Sequence, residues 1–561
     1  MEPYSGVVTT AIYCRPGCPA RPDPRNTIEF PDPAAAEAAG FRACLRCRPY
    51  RSPTPANGDA PDLVCRAVRL IVAGALDDAG EDALAARLGV SARHLRRLFA
   101  LHVGATPGRV ARSRRAHFAR RLLDDTDLTV TEVAFASGYG SGRQLNRACK
   151  DVFRATPVEL RARRRRADRL ATDGGLTLRL PFRGTVDWPA FLAYFAVRAI
   201  PGVESVDAAA YRRTIVVDGD PGMLEVTTGG ADHLLMRAHL PHWEGLIHVV
   251  ERVRRIFGLD TDIDAAAATL RGDPLIGPLV DARPGLRVPG AWDPFEVGVR
   301  AILGQQVTVS GASTLAARLV ERHGTPVPGL GHVGLRYTFP TPESLAVADL
   351  DGLGITGTRI AAICAFARAV AGGEVRLDGT LGLDDLLAAI TRLPGLGPWT
   401  AGYLALRLGE RDAFPATDLG LIRSAGALVG RQEPTARWLA ERAEAWRPWR
   451  ALAAVHLWTA DVPGPAVRRA LDPSPVAPRR VVRPGGRRPA APPAGSPTTA
   501  SPPAGLQPIT AAPPAGSPAS ASPPAGPQPI VEPPAAALPI ADRPRPAAAI
   551  PTASGRDGVP A

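Results

Sequence analysis

The segment Leu393–Ala401, with the sequence LPGLGPWTA, constrains the fold of this chain more than any other stretch. Its two glycines, Gly395 and Gly397, permit the tight turn that joins two helices in a hairpin. Small residues there also let a phosphate backbone approach the free N–H groups at the start of the second helix. The segment therefore predicts a sequence-independent clamp on a nucleic acid, formed by Gly395, Gly397 and Thr400.

A single carboxylate follows this hairpin. Asp418 lies 21 residues after Gly397, in the sequence FPATDL of Phe414–Leu419, which predicts a carboxylate at the start of a helix. Taken alone, such an aspartate is most often an ordinary N-cap. The hairpin, the spacing and the nearby aromatic residues together favour a catalytic role.

These features resemble the helix-hairpin-helix DNA glycosylase superfamily, and within it the AlkA-type 3-methyladenine DNA glycosylases. The resemblance spans roughly residues 176–465, and three further segments carry it: RPGLRVPG at Arg283–Gly290, FEVGVRAILGQQ at Phe295–Gln306, and WRPWR at Trp446–Arg450 leading to HLW at His456–Trp458. It implies that a damaged nucleotide is flipped into a pocket and that its glycosidic bond is hydrolysed.

The resemblance also implies roles for individual residues. Asp418 would stabilise the developing sugar cation or position water. Gln306 would fill the gap that the flipped base leaves in the duplex. The aromatic residues expected to line the pocket for a positively charged base are Trp399, Tyr403 and Trp458, although each of them could instead belong to the core.

Two absences narrow the expected reaction. The only lysine of the chain is Lys150, so residues 176–561 lack the amine with which strand-nicking relatives form a Schiff base. We therefore expect a monofunctional DNA-3-methyladenine glycosylase II. Because Cys364 is the only cysteine of that segment, we expect no iron–sulfur cluster.

Four cysteines stand near the start of the chain as two close pairs, Cys14 with Cys18 and Cys44 with Cys47. The spacing predicts a four-sulfur zinc site, and on spacing alone a purely structural zinc is favoured. The surrounding sequences, TTAIYCRPGC and GFRACLRCRP, resemble the N-terminal domain of the Ada adaptive-response regulators. That resemblance implies that Cys14 irreversibly accepts a methyl group from a DNA methyl-phosphotriester, and that the lost negative charge raises the affinity for DNA.

Two helix-turn-helix units are predicted next, Glu81–Leu88 with Ala92–His102 and Val130–Ser137 with Ser141–Phe153, and Ser91 and Ser141 stand at N-cap positions. The doubled unit, with GATP at 104–107 and ATP at 155–157, resembles the AraC-type regulator domain. The resemblance implies two recognition helices in successive turns of the major groove. The candidate DNA-contacting side chains are Arg93, Arg96, Arg97, Arg143, Gln144 and Arg147.

The sequence thus predicts a multidomain, mainly α-helical protein with five segments. These are a small zinc-bound α+β module (1–52), an AraC-type double helix-turn-helix (62–168), an α+β subdomain (176–285), an all-α helix-hairpin-helix domain (286–472) and a disordered Pro/Ala-rich tail (473–561). The net charge of +13 favours a polyanionic partner. No stretch is long and apolar enough to span a bilayer, and no signal peptide opens the chain, so we expect a cytoplasmic, nucleoid-associated protein without a membrane partner.

The expected function is alkylation repair by excision of alkylated purines, joined to a methyl-phosphotriester-sensing transcriptional regulator. Its partner is double-stranded DNA, at alkylated sites and at a promoter operator, with the transcription machinery as a further candidate. Two alternatives stay open: a regulator whose glycosylase fold is a non-catalytic DNA clamp, and a front end that is only a zinc-stapled targeting arm. The Pro-Cys-His-Arg motif of the Ada suicide methyltransferase domain is absent, so repair of 6-O-methylguanine is not expected.

Overall fold

A computed structural model describes residues 3–20, 23–51, 60–165, 168–170 and 175–460. The predicted disordered tail and residues 461–472 lie outside the described residues. The described residues fall into four modules along the chain. They are named here the cysteine module (3–51), the helix-turn-helix module (60–165), the sheet module (175–285) and the helical module (286–460).

The cysteine module is a four-stranded sheet with one helix, which agrees with the α+β prediction. Its elements are β1 (Tyr4–Val7), β2 (Ile12–Cys14), β3 (Thr27–Phe30), α1 (Pro33–Ala38) and β4 (Arg42–Ala43). The strand order is β3-β1-β2-β4, and only β2 and β4 run parallel. Parallel neighbours end at the same edge of a sheet, so the residues that follow β2 and β4 lie close together.

The helix-turn-helix module consists of seven described helices: α2 (Asp62–Val72), α3 (Glu81–Arg87), α4 (Ala92–His102), α5 (Pro107–Asp125), α6 (Val130–Ala136), α7 (Gly142–Phe153) and α8 (Pro157–Ala162). The two predicted N-caps are confirmed. The hydroxyl of Ser91 accepts from the N–H of His94 at 3.2 Å, and that of Ser141 accepts from the N–H of Gln144 at 3.3 Å. The long helix α5 connects the two units and packs against α2, α6, α7 and α8.

The sheet module carries five antiparallel strands in the order β5-β9-β8-β7-β6. Its elements are β5 (Leu176–Pro181), α9 (Trp188–Ala196), β6 (Glu204–Val206), β7 (Ala210–Val217), β8 (Asp220–Thr228), β9 (His233–His239), α10 (Leu246–Ile256), α11 (Ile263–Leu270) and α12 (Gly277–Ala282). Helix α9 ends at Ala196, with Val197 as its C-cap.

The described part of the helical module contains nine helices: α13 (Pro294–Leu303), α14 (Val309–His323), α15 (Pro342–Ala346), α16 (Gly357–Ala371), α17 (Leu383–Thr391), α18 (Pro398–Arg407), α19 (Leu419–Leu428), α20 (Ala436–Ala443) and α21 (Arg450–Ala460). They enclose one apolar core that also takes up α11 and α12. The fully buried Trp446 and Phe366 belong to this core. Among the described helices, none is both long and apolar enough to cross a lipid bilayer.

Ion pairs join the modules where their surfaces meet. Glu410, just after α18, accepts from Arg69 of α2 at 2.7 Å, and Glu251 of α10 accepts from Arg114 of α5 at 2.8 Å. The two glutamates are buried, at 6% exposure each. A buried carboxylate that loses its partner is strongly destabilising, so these pairs fix how the helix-turn-helix module lies on the other two.

Candidate active site

The predicted hairpin is present, and its backbone requires a glycine at position 395. Gly395 has a φ of +79°, and a Cβ there would lie 2.9 Å from the Cβ of Ala362. Gly397 is the N-cap of α18 and offers no side-chain cap, and Pro398 occupies the first turn. No side chain caps the first N–H groups of α18, so they can donate to an external acceptor such as a phosphate.

A brace holds this hairpin in position. The Gln305 amide donates to the carbonyl of Gly395 at 2.9 Å and to the hydroxyl of Thr400 at 3.1 Å. Arg359 in turn donates to the carbonyl of Gln305. Thr400, expected to contact DNA, has only 2% of its surface exposed, and its hydroxyl accepts from Gln305 inside the hairpin. The sequence analysis missed Gln305, which precedes the predicted wedge residue.

The Asp418 carboxylate is held by three donors. It is the N-cap of α19, and its Oδ1 accepts from the N–H of Leu421 at 2.9 Å. The indole N–H of Trp458 donates to Oδ1 at 3.0 Å, and that of Trp399 donates to Oδ2 at 2.7 Å. Asp418 therefore caps the N-terminus of α19, and two tryptophan indoles fix the positions of its two carboxylate oxygens.

Asp418 lies in the wall of a cavity of about 230 Å³. The three predicted aromatic residues line the same cavity: Trp399 stacks on Tyr403 with ring centres 5.5 Å apart and planes 9° apart, and Trp458 meets Tyr403 edge-on at 6.3 Å. All three are half-buried. They are therefore accessible to a flat guest as well as packed against the core.

The far wall of the cavity contains cationic and phenolic groups that the sequence analysis missed. They are Tyr194, Arg198, Arg300 and Arg407. A partial signal existed, since Tyr403 and Arg407 on α18 are four residues apart and so share a helix face, and Arg198 follows Tyr194 by four residues just after the end of α9. The pairing of two helices more than 200 residues apart could not be read from that spacing.

Gln306 lies in the turn between α13 and α14, on the exposed surface beside the cavity. Its φ of +54° is unusual for a residue other than glycine. The neighbouring Val307 and Val309 are also exposed, at 37% and 43%. An exposed side chain on a turn of this kind, flanked by apolar residues, suits insertion between bases.

The four cysteines of the cysteine module come together as predicted. Their sulfur atoms all lie within 4.8 Å of one another. Cys14 ends β2 and Cys44 follows β4, so the parallel pairing of these strands places both at one edge. Four converging thiols without a carboxylate or imidazole among them are the ligand set of a structural zinc site, and the residues therefore fit one Zn²⁺. Cys14 is buried, at 3% exposure, and Cys18 is half-buried.

The candidate DNA-contacting residues of the helix-turn-helix module differ in their partners. Arg93, Arg143 and Arg147 are exposed. Arg96 is bound to Glu81 at 2.5 Å, and the amide oxygen of Gln144 accepts from the N–H of Gly140 at 3.0 Å. Arg96 and Gln144 are therefore engaged by partners within the module.

Four known families match successive parts of the chain. The metal binding domain of Ada matches residues 3–50, and a helix-turn-helix domain matches residues 84–163. The AlkA N-terminal domain matches residues 177–293, and the HhH-GPD superfamily of base excision DNA repair proteins matches residues 299–448. Together with the hairpin and the Asp418 cavity, they define a helix-hairpin-helix base excision repair protein fused to an Ada-type metal-binding and helix-turn-helix front end.

Curated relatives match either most of this chain or its glycosylase part. The probable bifunctional transcriptional activator/DNA repair enzyme AlkA of Mycobacterium tuberculosis is 40% identical over 458 residues, which cover 81% of this chain and 92% of the relative. DNA-3-methyladenine glycosylase 2 of Escherichia coli is 33% identical over 48% of this chain and 93% of its own length. A solved 3-methyladenine DNA-glycosylase from Archaeoglobus fulgidus matches at 24% identity, with a TM-score of 0.45 over 50% of this chain and 96% of its own. The chain belongs to the family of AlkA-type bifunctional transcriptional activator/DNA repair enzymes.

Proposed function

We propose that this protein is a monofunctional DNA-3-methyladenine glycosylase II that hydrolyses the N-glycosidic bond of alkylated purines in duplex DNA. The observation that carries the proposal is the Asp418 carboxylate, held between the indoles of Trp399 and Trp458 in the wall of an aromatic cavity. The relatives' names and the base-excision family match support the same reaction.

In the proposed complex the hairpin binds the DNA backbone and the cavity receives the base. The free N–H groups at the start of α18 would donate to a phosphate oxygen, which fixes the position of the duplex without reading its sequence. Gln306 would enter the base stack as the nucleotide leaves it. The stacked faces of Trp399 and Tyr403 would then attract a base that alkylation has made cationic.

Asp418 would act on the sugar rather than on the base. An alkylated purine leaves readily, taking the electron pair of the glycosidic bond and becoming neutral, while positive charge develops at the sugar. A fixed carboxylate beside that sugar stabilises the charge and can hold the water that adds to the anomeric carbon. Preorganised charge of this kind typically changes rates by about 100- to 1,000-fold when it is removed.

For the front end we propose a sensor and a DNA reader. Cys14, one of the four zinc-ligand candidates, would accept a methyl group from a methyl-phosphotriester, because zinc keeps the cysteine sulfurs ionised. The helices α4 and α7 would place Arg93, Arg143 and Arg147 in the major groove of an operator. Because each of these proposed roles requires duplex DNA, we propose that the protein localises to the nucleoid.

A base-release assay tests the glycosylase proposal. Wild-type protein and Asp418→Asn are incubated with methylated DNA, and released 3-methyladenine and 7-methylguanine are measured by chromatography. We expect base release from the wild type and a loss of at least 100-fold in the variant, with duplex affinity within about threefold. Asp281→Asn is the matched control, because this carboxylate is exposed, pairs with Arg271 and does not line the cavity.

The same assay discriminates a DNA glycosylase from a non-catalytic DNA clamp. If the wild type binds DNA but releases no methylated purine, the fold serves only to grip DNA and the enzymatic proposal is wrong. For the sensor, mass spectrometry after incubation with methyl-phosphotriester DNA should find one methyl group on Cys14. A methyl group on the more exposed Cys18, or none, would contradict the assignment.

A further inference from the structure

The positive charges around the base cavity are not all compensated. Arg300 lies between two carboxylates, Glu204 at 2.8 Å and Glu296 at 2.9 Å. Within the described part of the chain, Arg198 and Arg407 have no carboxylate within ion-pair distance. With neutral tyrosines, the cavity therefore faces two unpaired guanidinium groups and one carboxylate, Asp418.

Arg407 is almost fully buried, and its hydrogen-bond acceptors are uncharged oxygens. It is 5% exposed, and it donates to the carbonyls of Pro289 at 2.7 Å and Gly290 at 2.8 Å. One of its amino groups also donates to two phenol oxygens, those of Tyr194 and Tyr403, at 2.8 Å each. A buried cation without an anionic partner is costly, and a phenol that ionises next to it removes that cost.

The two phenols are arranged so that one of them can ionise. Their oxygens lie 3.2 Å apart, so Tyr194 can donate its proton to Tyr403 while Arg407 donates to the same oxygen. Burial disfavours the phenolate, but the charges of Arg407, Arg198 and Arg300 outweigh it and lower the pKa of Tyr403 to about 8. Burial raises the pKa of Tyr194 to about 12.

Four charged groups in the wall of the cavity surround the two phenols. They are Arg198 beside Tyr194 on α9, Arg300 on α13, Arg407 on α18 and Asp418 at the start of α19. Among these lining groups only Asp418 is anionic, and its oxygens are engaged by Trp399, Trp458 and the helix start. Glu204 and Glu296 offset the charge of Arg300, so the net positive charge at the phenols comes from Arg198 and Arg407. The net field at the Tyr403 hydroxyl therefore favours the phenolate.

We propose that Tyr403 determines which bases the cavity accepts by changing its charge: it is ionised when the bound base is a cation and protonated when the base is neutral. The proposal rests on the proposed glycosylase function, which places the base in this cavity. A cationic alkylpurine meets two unpaired guanidinium groups unless Tyr403 supplies a negative charge. A neutral base, such as a deaminated purine, can instead accept the hydroxyl proton of Tyr403 in a hydrogen bond.

The charge of Tyr403 can be measured without any reaction. Tyrosinate absorbs near 295 nm, so a spectrophotometric titration of the full chain should contain one phenol with a midpoint near pH 8. This step should disappear in Tyr403→Phe and remain in Tyr337→Phe, which removes a phenol that does not line the cavity. Tyr194→Phe, which keeps Tyr403 but removes its donor, should move the midpoint upward by about one pH unit.

The consequence for specificity is measured by single-turnover base release. Release of 3-methyladenine relative to hypoxanthine should rise about tenfold between pH 6 and pH 8.5 in the wild type, because the ionised fraction of Tyr403 rises over that range. If hypoxanthine is not released, affinity for a hypoxanthine duplex, measured by competition, replaces its rate. In Tyr403→Phe the ratio should not depend on pH.

The outcomes separate this inference from the proposed function. No base release from any substrate contradicts the glycosylase proposal, while the titration still decides whether Tyr403 ionises. Base release with a pH-independent ratio, together with no phenol titrating below pH 9.5, overturns the charge-switching role and leaves the glycosylase proposal intact. Thermal unfolding of each variant establishes that a lost step reflects the missing hydroxyl and not a collapsed cavity.

Discussion

The bond between Trp399 and Asp418 gives the sharpest test of how the carboxylate is positioned. Trp399→Phe removes the indole N–H that donates to Oδ2 at 2.7 Å and keeps an aromatic ring to stack on Tyr403. A hydrogen bond to a charged group contributes about 1.5–3 kcal/mol. Since about 1.4 kcal/mol corresponds to a factor of ten in rate, we expect single-turnover excision to slow by about 10- to 100-fold.

The upper end of that range applies only if the whole bond energy serves the transition state. The lower end applies if the remaining donors, Trp458 and the N–H of Leu421, hold Oδ1 while Oδ2 moves away from the sugar. Asp418→Asn tests whether Trp399 acts through the carboxylate at all. In that background Trp399→Phe should cost less than about threefold, because the two residues act on the same step.

The assay is single-turnover release of 3-methyladenine, with Trp438→Phe as the matched control. Trp438 lies on α20 under the guanidinium of Arg431, with 5.2 Å between the guanidinium carbon and the ring centre, and does not line the cavity. The control should excise at the wild-type rate. A Trp399→Phe protein that is folded, binds DNA and excises within twofold of wild type would refute the positioning argument.

Three further results are expected. Gln305→Ala removes two hydrogen bonds that brace the hairpin, to Gly395 and Thr400, and should weaken duplex binding measured by fluorescence anisotropy about three- to tenfold, equally for damaged and undamaged DNA. Burial raises the pKa of Asp32 to about 6, because the folded chain disfavours the ionised carboxylate. The contribution of the neutral carboxyl to stability is therefore complete below about pH 4 and is lost as the pH rises through 6. Asp32→Asn keeps the cap on α1 and should gain up to about 3 kcal/mol in unfolding free energy at pH 8 and little at pH 4. Zinc chelation should open the cysteine module to proteolysis and free four thiols for titration, while excision falls less than threefold because the helical module has its own core.

Local sequence signals predicted the parts of the site that are themselves local. The turn at Gly395 depends on a backbone conformation that glycine adopts readily, and the N-caps at Ser91 and Ser141 depend on side chains reaching the next turn. The same holds for Asp418 at the start of α19. Each of these features involves residues within a few positions of one another, so composition and spacing were enough to find them.

The features that were missed all depend on distant residues meeting in space. Trp458 reaches Asp418 across 40 residues, Tyr194 meets Tyr403 across 209, and Arg69 meets Glu410 across 341. Sequence periodicity does not predict such partners. It indicates which face of a helix a residue lies on, but not which other element packs against that face. The aromatic residues were therefore predicted as pocket or core, and the structure gives each of the three both roles.

Helix α18 combines three of the functions proposed for this chain. Its N-terminus is the proposed hairpin clamp, and its first two turns supply Trp399 and Tyr403 to the cavity. Its C-terminal end holds Arg407 and is followed by Glu410, which binds the helix-turn-helix module through Arg69. A helix is stiff over ten residues, so a shift at one end is passed to the other. Rearrangement of the helix-turn-helix module on DNA would therefore act on α18 beside the base cavity. This geometry connects the regulatory and catalytic modules without requiring contact between the cysteine cluster and Asp418.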